Sequence, residues 1–169
     1  MVSMASHEDH LDHIVEQWRR ERPDLNAAPL ALMGRLLRAA DLADAAFADG
    51  LAGYELGPGW FDLMAALRRA GSPYELNPTQ LMRETMISSG GMTKRLDRLT
   101  EAGLVQRRPD PNDRRGTLVR LTPRGVTLID DAVETHIANE DRVLTSLDAS
   151  ERRVLDGLLR KLLEELETN

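Results

Sequence analysis

Apolar residues recur three to four positions apart over most of this chain, and the period becomes strand-like in only one stretch. Leu11, Ile14, Val15 and Trp18 form one face of a first helix, which Pro23 closes. Leu32, Leu36, Ala39, Ala40, Ala43 and Phe47 mark a second helix, expected over 29–51 and broken by the glycines from Gly53 to Gly59. A third is expected from near Pro58 to Ala70, with Gly71 as its C-terminal stop. Asn77-Pro78-Thr79 then sets a capping side chain before a proline at the tolerated first helical position, which starts a short helix ending near Thr85. Ser88 or Ser89 caps the next, which runs to about Ala102 and stops at Gly103. Two helices with a tight turn of about three residues between them have the spacing of a helix-turn-helix.

The change of period follows at once. Residues 104–108 and 117–121 read as short strands, and the polar, turn-rich stretch 109–116 between them completes a β-hairpin. Thr122-Pro123 begins a long helix, expected to reach Leu147. A last helix over 150–167 carries Val154, Leu155, Leu158, Leu159, Leu162, Leu163 and Leu166. The predicted fold class is mainly α with a small β-hairpin wing: a winged helix-turn-helix lobe plus a helical dimerisation region. The expected division is N-terminal helices over 1–55, the DNA-binding lobe over 56–124 and dimerisation helices over 125–169.

Composition narrows the function. The chain has 169 residues, 41% hydrophobic and 30% charged, which suits an ordinary soluble domain with a core. No apolar run approaches the roughly 20 residues of a membrane span, and the polar N-terminus lacks the apolar stretch of a secretory signal. A cytoplasmic protein is expected. The absence of cysteine removes disulfides, thiolate nucleophiles and thiolate metal sites. Aromatics at 4% disfavour stacking platforms for single strands.

A net charge of −6 argues against nucleic acid until its distribution is examined. Residues 77–124 hold 10 Lys+Arg against 5 Asp+Glu, whereas the remainder holds 12 against 23. A basic module in an acidic frame attracts phosphates with one face and rejects them with the others.

On a helical wheel, Met92, Leu96 and Leu99 cluster on the core side of the second helix of the pair. Gly90, Thr93, Lys94, Asp97 and Arg98 fall away from them. The small residues Ser89, Gly90 and Gly91, following Ser88, let the helix end approach a duplex closely and offer amides to a phosphate. Thr93, Lys94 and Arg98 are the candidates for base edges and phosphates. A solvated surface helix would look similar, and the acids Asp97 and Glu101 depart from an idealised DNA face. The hairpin weighs for DNA: Arg114 and Arg115 at its tip suit the narrow minor groove, and Arg107, Arg108 and Arg120 can reach flanking phosphates.

The run over 76–125, and most specifically SSGGMTKRLDRLTEAGLVQRR and DPNDRRGTLVRLTPRG, resembles the MarR (multiple antibiotic resistance regulator) family of winged helix-turn-helix transcription factors. The resemblance implies a homodimer of interleaved N- and C-terminal helices above two DNA-binding lobes. The apolar surplus of the last two helices and the lone first helix supports that implication independently. A pseudopalindromic duplex site is expected, with half-sites about one turn, roughly 34–36 Å, apart.

QWRRERPDLN and WFDLMAALRRAG are similar to the urate-responsive, HucR/PecS-like branch. That resemblance implies effector contacts at Trp18, Asp62 and Arg95, with Asn26 in addition. By residue chemistry, Trp18 equally completes an apolar stripe, and Asp62 equally favours the positive start of its helix. Arg95 falls at the flank of its helix, where it can pair with a carboxylate or an anionic ligand. The resemblance implies a small effector and leaves urate, another purine, a guanosine nucleotide and a phenolic acid open.

Other readings are weaker. His7, His10 and His13 share a helical spacing that suits zinc or nickel, yet no fourth ligand closes the set, and no metal or other cofactor is expected. No phosphate-cradling loop, catalytic triad or carboxylate pair suggests an enzyme. The remaining alternative is a winged-helix protein-interaction module without DNA binding.

Overall fold

The computed structural model describes residues 8–54, 56–57, 59–85, 89–111 and 113–168, without the side chains of residues 89, 90, 114 and 115. The chain divides into two compact units between Ala46 and Phe47, within one helix. Among the described residues no helix is long and apolar enough to cross a membrane.

The first unit holds α1 (His10–Glu21) and most of α2 (Ala28–Leu51). Asp9 caps α1 in a reciprocal box with Asp12. The guanidinium of Arg35 on α2 lies 2.8 Å from Asp9 and 2.6 Å from Asp12, so one cation staples the start of α1 to α2. The hydrogen bond from Arg35 holds the Asp9 carboxyl well below the usual carboxylate range. Leu11 rests on Gly34, where a Cβ would stand 2.8 Å from its methyl carbon. Only Ala31 of α2 is buried. Leu32, which the periodicity placed on the packed stripe, is 70% exposed in the protomer.

The second unit contains the end of α2, a 3-10 turn (Ala52–Tyr54), α3 (Trp60–Arg69), β1 (Glu75–Leu76), α4 (Pro78–Glu84), α5 (Ser89–Glu101), β2 (Val105–Asp110), β3 (Asp113–Leu121), α6 (Pro123–Val143) and α7 (Ala149–Thr168). The sheet is antiparallel in the order β1-β3-β2. Leu63, Met64 and Leu67 of α3 pack with Leu81, Leu96, Leu99, Val105, Val119 and Ile129 into one buried cluster. Tyr54 Oη donates to the Asp131 carbonyl at 3.0 Å, and Arg68 pairs with Asp130 at 2.7 Å.

Three expectations change. The hairpin strands run through most of the stretch read as a loop, with a register irregularity at Pro109/Asp110, because cross-strand bonds override the local turn preference of Pro and Asp. The third strand, β1, is two residues long, too short for any period to show. Finally, α6 ends at Val143 rather than Leu147, with Leu144 as its cap, and residues 144–146 form turns before α7.

Candidate nucleic-acid interface and effector residues

The interface is built outward from α4. Asn77 and Gln80 exchange bonds, Asn77 Oδ1 accepting from the Gln80 amide at 2.8 Å and Gln80 Oε1 accepting from the Asn77 amide at 2.9 Å. Pro78 occupies the first helical position, where its missing N–H costs nothing. Leu81 anchors α4 in the core.

Met92, Leu96 and Leu99 hold α5 by its buried side. Thr93, Lys94, Asp97 and Arg98 are exposed on the other. Gly103, at φ +67°, ends the helix, and Arg124 Nη1 donates to the Ala102 carbonyl at 2.7 Å, placing a cation at the negative helix end. Thr122 Oγ1 donates to the Gly103 carbonyl at 2.8 Å and accepts from the Gly125 amide at 3.0 Å, so the exit of α5 and the entry of α6 share one hydroxyl.

The wing arginines differ in their partners. Arg107 Nη2 lies 2.8 Å from Asp97 Oδ1 on α5. Arg108 makes a two-point pair with Glu75 on β1, Nε to Oε2 at 2.9 Å and Nη2 to Oε1 at 2.5 Å. That engages a side chain expected to reach flanking phosphates, because Arg108 and Glu75 lie on the same face of the sheet. Arg108 chiefly, with burial opposing, keeps the Glu75 carboxyl below its ordinary value. Sequence reasoning missed Glu75; its only signal was an acid one residue before the apolar Leu76.

Ser88 lies outside the described residues, and so do the side chains of Ser89, Arg114 and Arg115. The backbone of Arg114 and Arg115 belongs to β3, beside the turn rather than at its tip. Gly90 is in the first turn of α5.

Of the effector candidates, Trp18 and Asn26 belong to the first unit, Asp62 and Arg95 to the second. Trp18 is 44% exposed on α1. Asn26 Oδ1 accepts from the Ala28 amide at 3.2 Å, a local bond at the start of α2. Asp62 is exposed in the first turn of α3. Arg95 is half-buried, and its guanidinium lies over Gly91, where a Cβ would stand 2.2 Å from Nη1. His10 and His13 are exposed on α1, and His7 lies outside the described residues.

The sequence pattern of the MarR family matches residues 54–116. The transcriptional regulator PecS of Dickeya dadantii is 40% identical over 156 residues, 92% of this chain and 94% of PecS. A crystal structure of a mutant Escherichia coli MarR complexed with operator DNA superposes with a TM-score of 0.70 at 26% identity, covering 86% of this chain and 97% of that one. The structure of Bordetella bronchiseptica BpsR, described for the regulation of its DNA binding by 6-hydroxynicotinic acid, has a TM-score of 0.68 at 29% identity, covering 76% and 91%. These relatives are transcription regulators, not enzymes. The chain shares their fold, and it belongs to the MarR family of DNA-binding transcriptional regulators.

Proposed function

We propose that the protein is a homodimeric, cytoplasmic repressor that binds a pseudopalindromic operator and is released from it by a small anionic or aromatic effector, with urate or a related purine favoured. The observation that carries the reading is α5, anchored by Met92, Leu96 and Leu99 and presenting Thr93, Lys94 and Arg98 to solvent. That is how a helix is held when it enters a major groove. Ser88, Ser89 and Gly90 meet phosphates at its start, and Arg107, Arg114 and Arg115 follow the wing. The operator complex of the Escherichia coli relative supports the same use of the fold.

The dimer reading is supported by apolar side chains left uncovered in the protomer. On α7, Val154, Leu158, Leu163 and Leu166 are each more than half exposed. An apolar stripe of that extent calls for a partner.

The effector reading assigns Trp18, Asn26, Asp62 and Arg95 to the ligand. An anionic effector engages Arg95, α5 shifts, and the two lobes no longer match the spacing of the operator. A coupling of a few kcal/mol between the two states suffices. BpsR, named with a heteroaromatic acid, supports the ligand class.

The test is an electrophoretic mobility shift on the intergenic DNA upstream of the protein's own gene, with and without urate, at two salt concentrations. Tight, salt-sensitive binding that urate releases is the expected result. Binding that urate leaves untouched removes the purine and keeps the regulator. Release that persists in Arg95→Ala removes the proposed coupling.

A further inference from the structure

Asp97 lies on the exposed face of α5 between the basic Lys94 and Arg98, with a second acid, Glu101, one turn further along. If that face meets DNA, a free carboxylate there weakens binding by repelling phosphates. The geometry of the wing gives the residue another use. In β2, Val105 pairs with Leu121 and Arg107 with Val119, so Val105 and Arg107 share the core face of the sheet, while Gln106 and Arg108 share the opposite one. Val105, Val119 and Leu121 are buried. Two residues beyond Val105, Arg107 leaves that core and reaches Asp97 on α5 at 2.8 Å. On the opposite face Arg108 is held by Glu75. The base of the wing is therefore gripped on both faces, and the grip on the core side comes from the recognition helix itself.

We infer that Asp97 is a positioning residue for DNA binding. It fixes Arg107, and with it the base of β2, at a set distance from α5, so that helix and wing arrive at the duplex as one unit. A guanidinium has five N–H donors. The one turned to Asp97 leaves others for a phosphate oxygen, and the carboxylate holds the side chain in place before DNA arrives. This inference rests on the DNA-binding reading above.

Repulsion and positioning predict opposite signs, which makes the inference testable. Phosphate contacts are independent of sequence, so the probe is a random-sequence duplex at low salt. Asp97→Asn removes a negative charge, yet the expected result is affinity about tenfold lower, the size of one charge-assisted contact. The slope of log affinity against log salt should fall by about one per lobe as Arg107 leaves its phosphate. Asp97→Glu, which keeps the carboxylate, should restore most of the loss. In an Arg107→Ala background the same Asp97→Asn change should cost nothing or tighten binding, since only the repulsive charge remains to be removed.

Equal or tighter binding by Asp97→Asn in the otherwise unaltered protein overturns the inference. Equal losses in both backgrounds also overturn it, because they mark a folding defect rather than a partnership with Arg107. No binding by the unaltered protein at low salt would overturn the DNA-binding reading first, and the inference with it.

Discussion

Gly91 and Gly125 both stand where a Cβ would collide, and the identity of the neighbour decides what a substitution does. At Gly125 the neighbour is the Leu104 carbonyl oxygen, 2.1 Å from an added Cβ, and backbone on both sides of that contact has little room to yield. Gly125→Ala should destabilise the second unit by about 1–3 kcal/mol, read as a lower urea midpoint with an unchanged slope. At Gly91 the neighbour is the far end of Arg95, which can move. Alanine is also the better helix former, by about 1 kcal/mol. Gly91→Ala should therefore displace Arg95 at a smaller cost in thermal midpoint than Gly125→Ala. The measurement that reads the displacement is the effector concentration that releases DNA, expected to change several-fold while affinity without effector holds.

At the scale of elements, the base of the wing is tied to its surroundings by two ion pairs, Arg107 to Asp97 and Arg108 to Glu75, beside the buried Val105, Val119 and Leu121. Glu75 shows how that tie depends on pH. Arg108 holds its carboxyl below the ordinary value of 4.5, so the folded state binds the proton less readily than the unfolded chain. The pair therefore stabilises the fold above about pH 4.5 and is lost as pH falls through the lower folded value. Glu75→Gln should lower the thermal midpoint near neutral pH, and the gap from the unaltered protein should close as pH falls through the lowered value of the folded state. A gap that persists at acid pH would mean that Glu75 acts through packing instead. The same reasoning covers α1, whose start depends on Asp9 serving at once as helix cap and partner of Arg35.

For the whole molecule the deciding feature is apolar surface that the protomer leaves in water. On α7, Leu158 is 61% exposed and Leu163 53%, and Val154 and Leu166 are likewise exposed. Their amount, rather than any single residue, points to a second copy. Leu158→Glu should halve the mass found by sedimentation while circular dichroism stays helical, and operator affinity should fall with it. DNA binding by one lobe alone forfeits the second half-site. A variant that stays dimeric would place the interface on other helices.

Much of this protein is legible one element at a time. The capping of Asn77 before Pro78, the stop at Gly103, the buried side of α5 and the entry of α6 at Thr122 are local matters, decided by side chains within a few residues of one another. The amphipathic period of α5 likewise separates Met92, Leu96 and Leu99 from Thr93, Lys94 and Arg98 without reference to the rest of the chain. What only the tertiary structure decided is who meets whom across elements. A two-residue strand such as β1 exists because β3 pairs with it, and the hairpin strands outlast their turn-prone sequence for the same reason. Asp97, an anomaly on a helical wheel, becomes the partner of Arg107 once β2 is laid against α5. Arg108, outwardly a free cation, is spent on Glu75. Periodicity assigns each side chain to a face, but an ion pair requires two faces at a fixed distance, and that distance is set by the packing of the core between them.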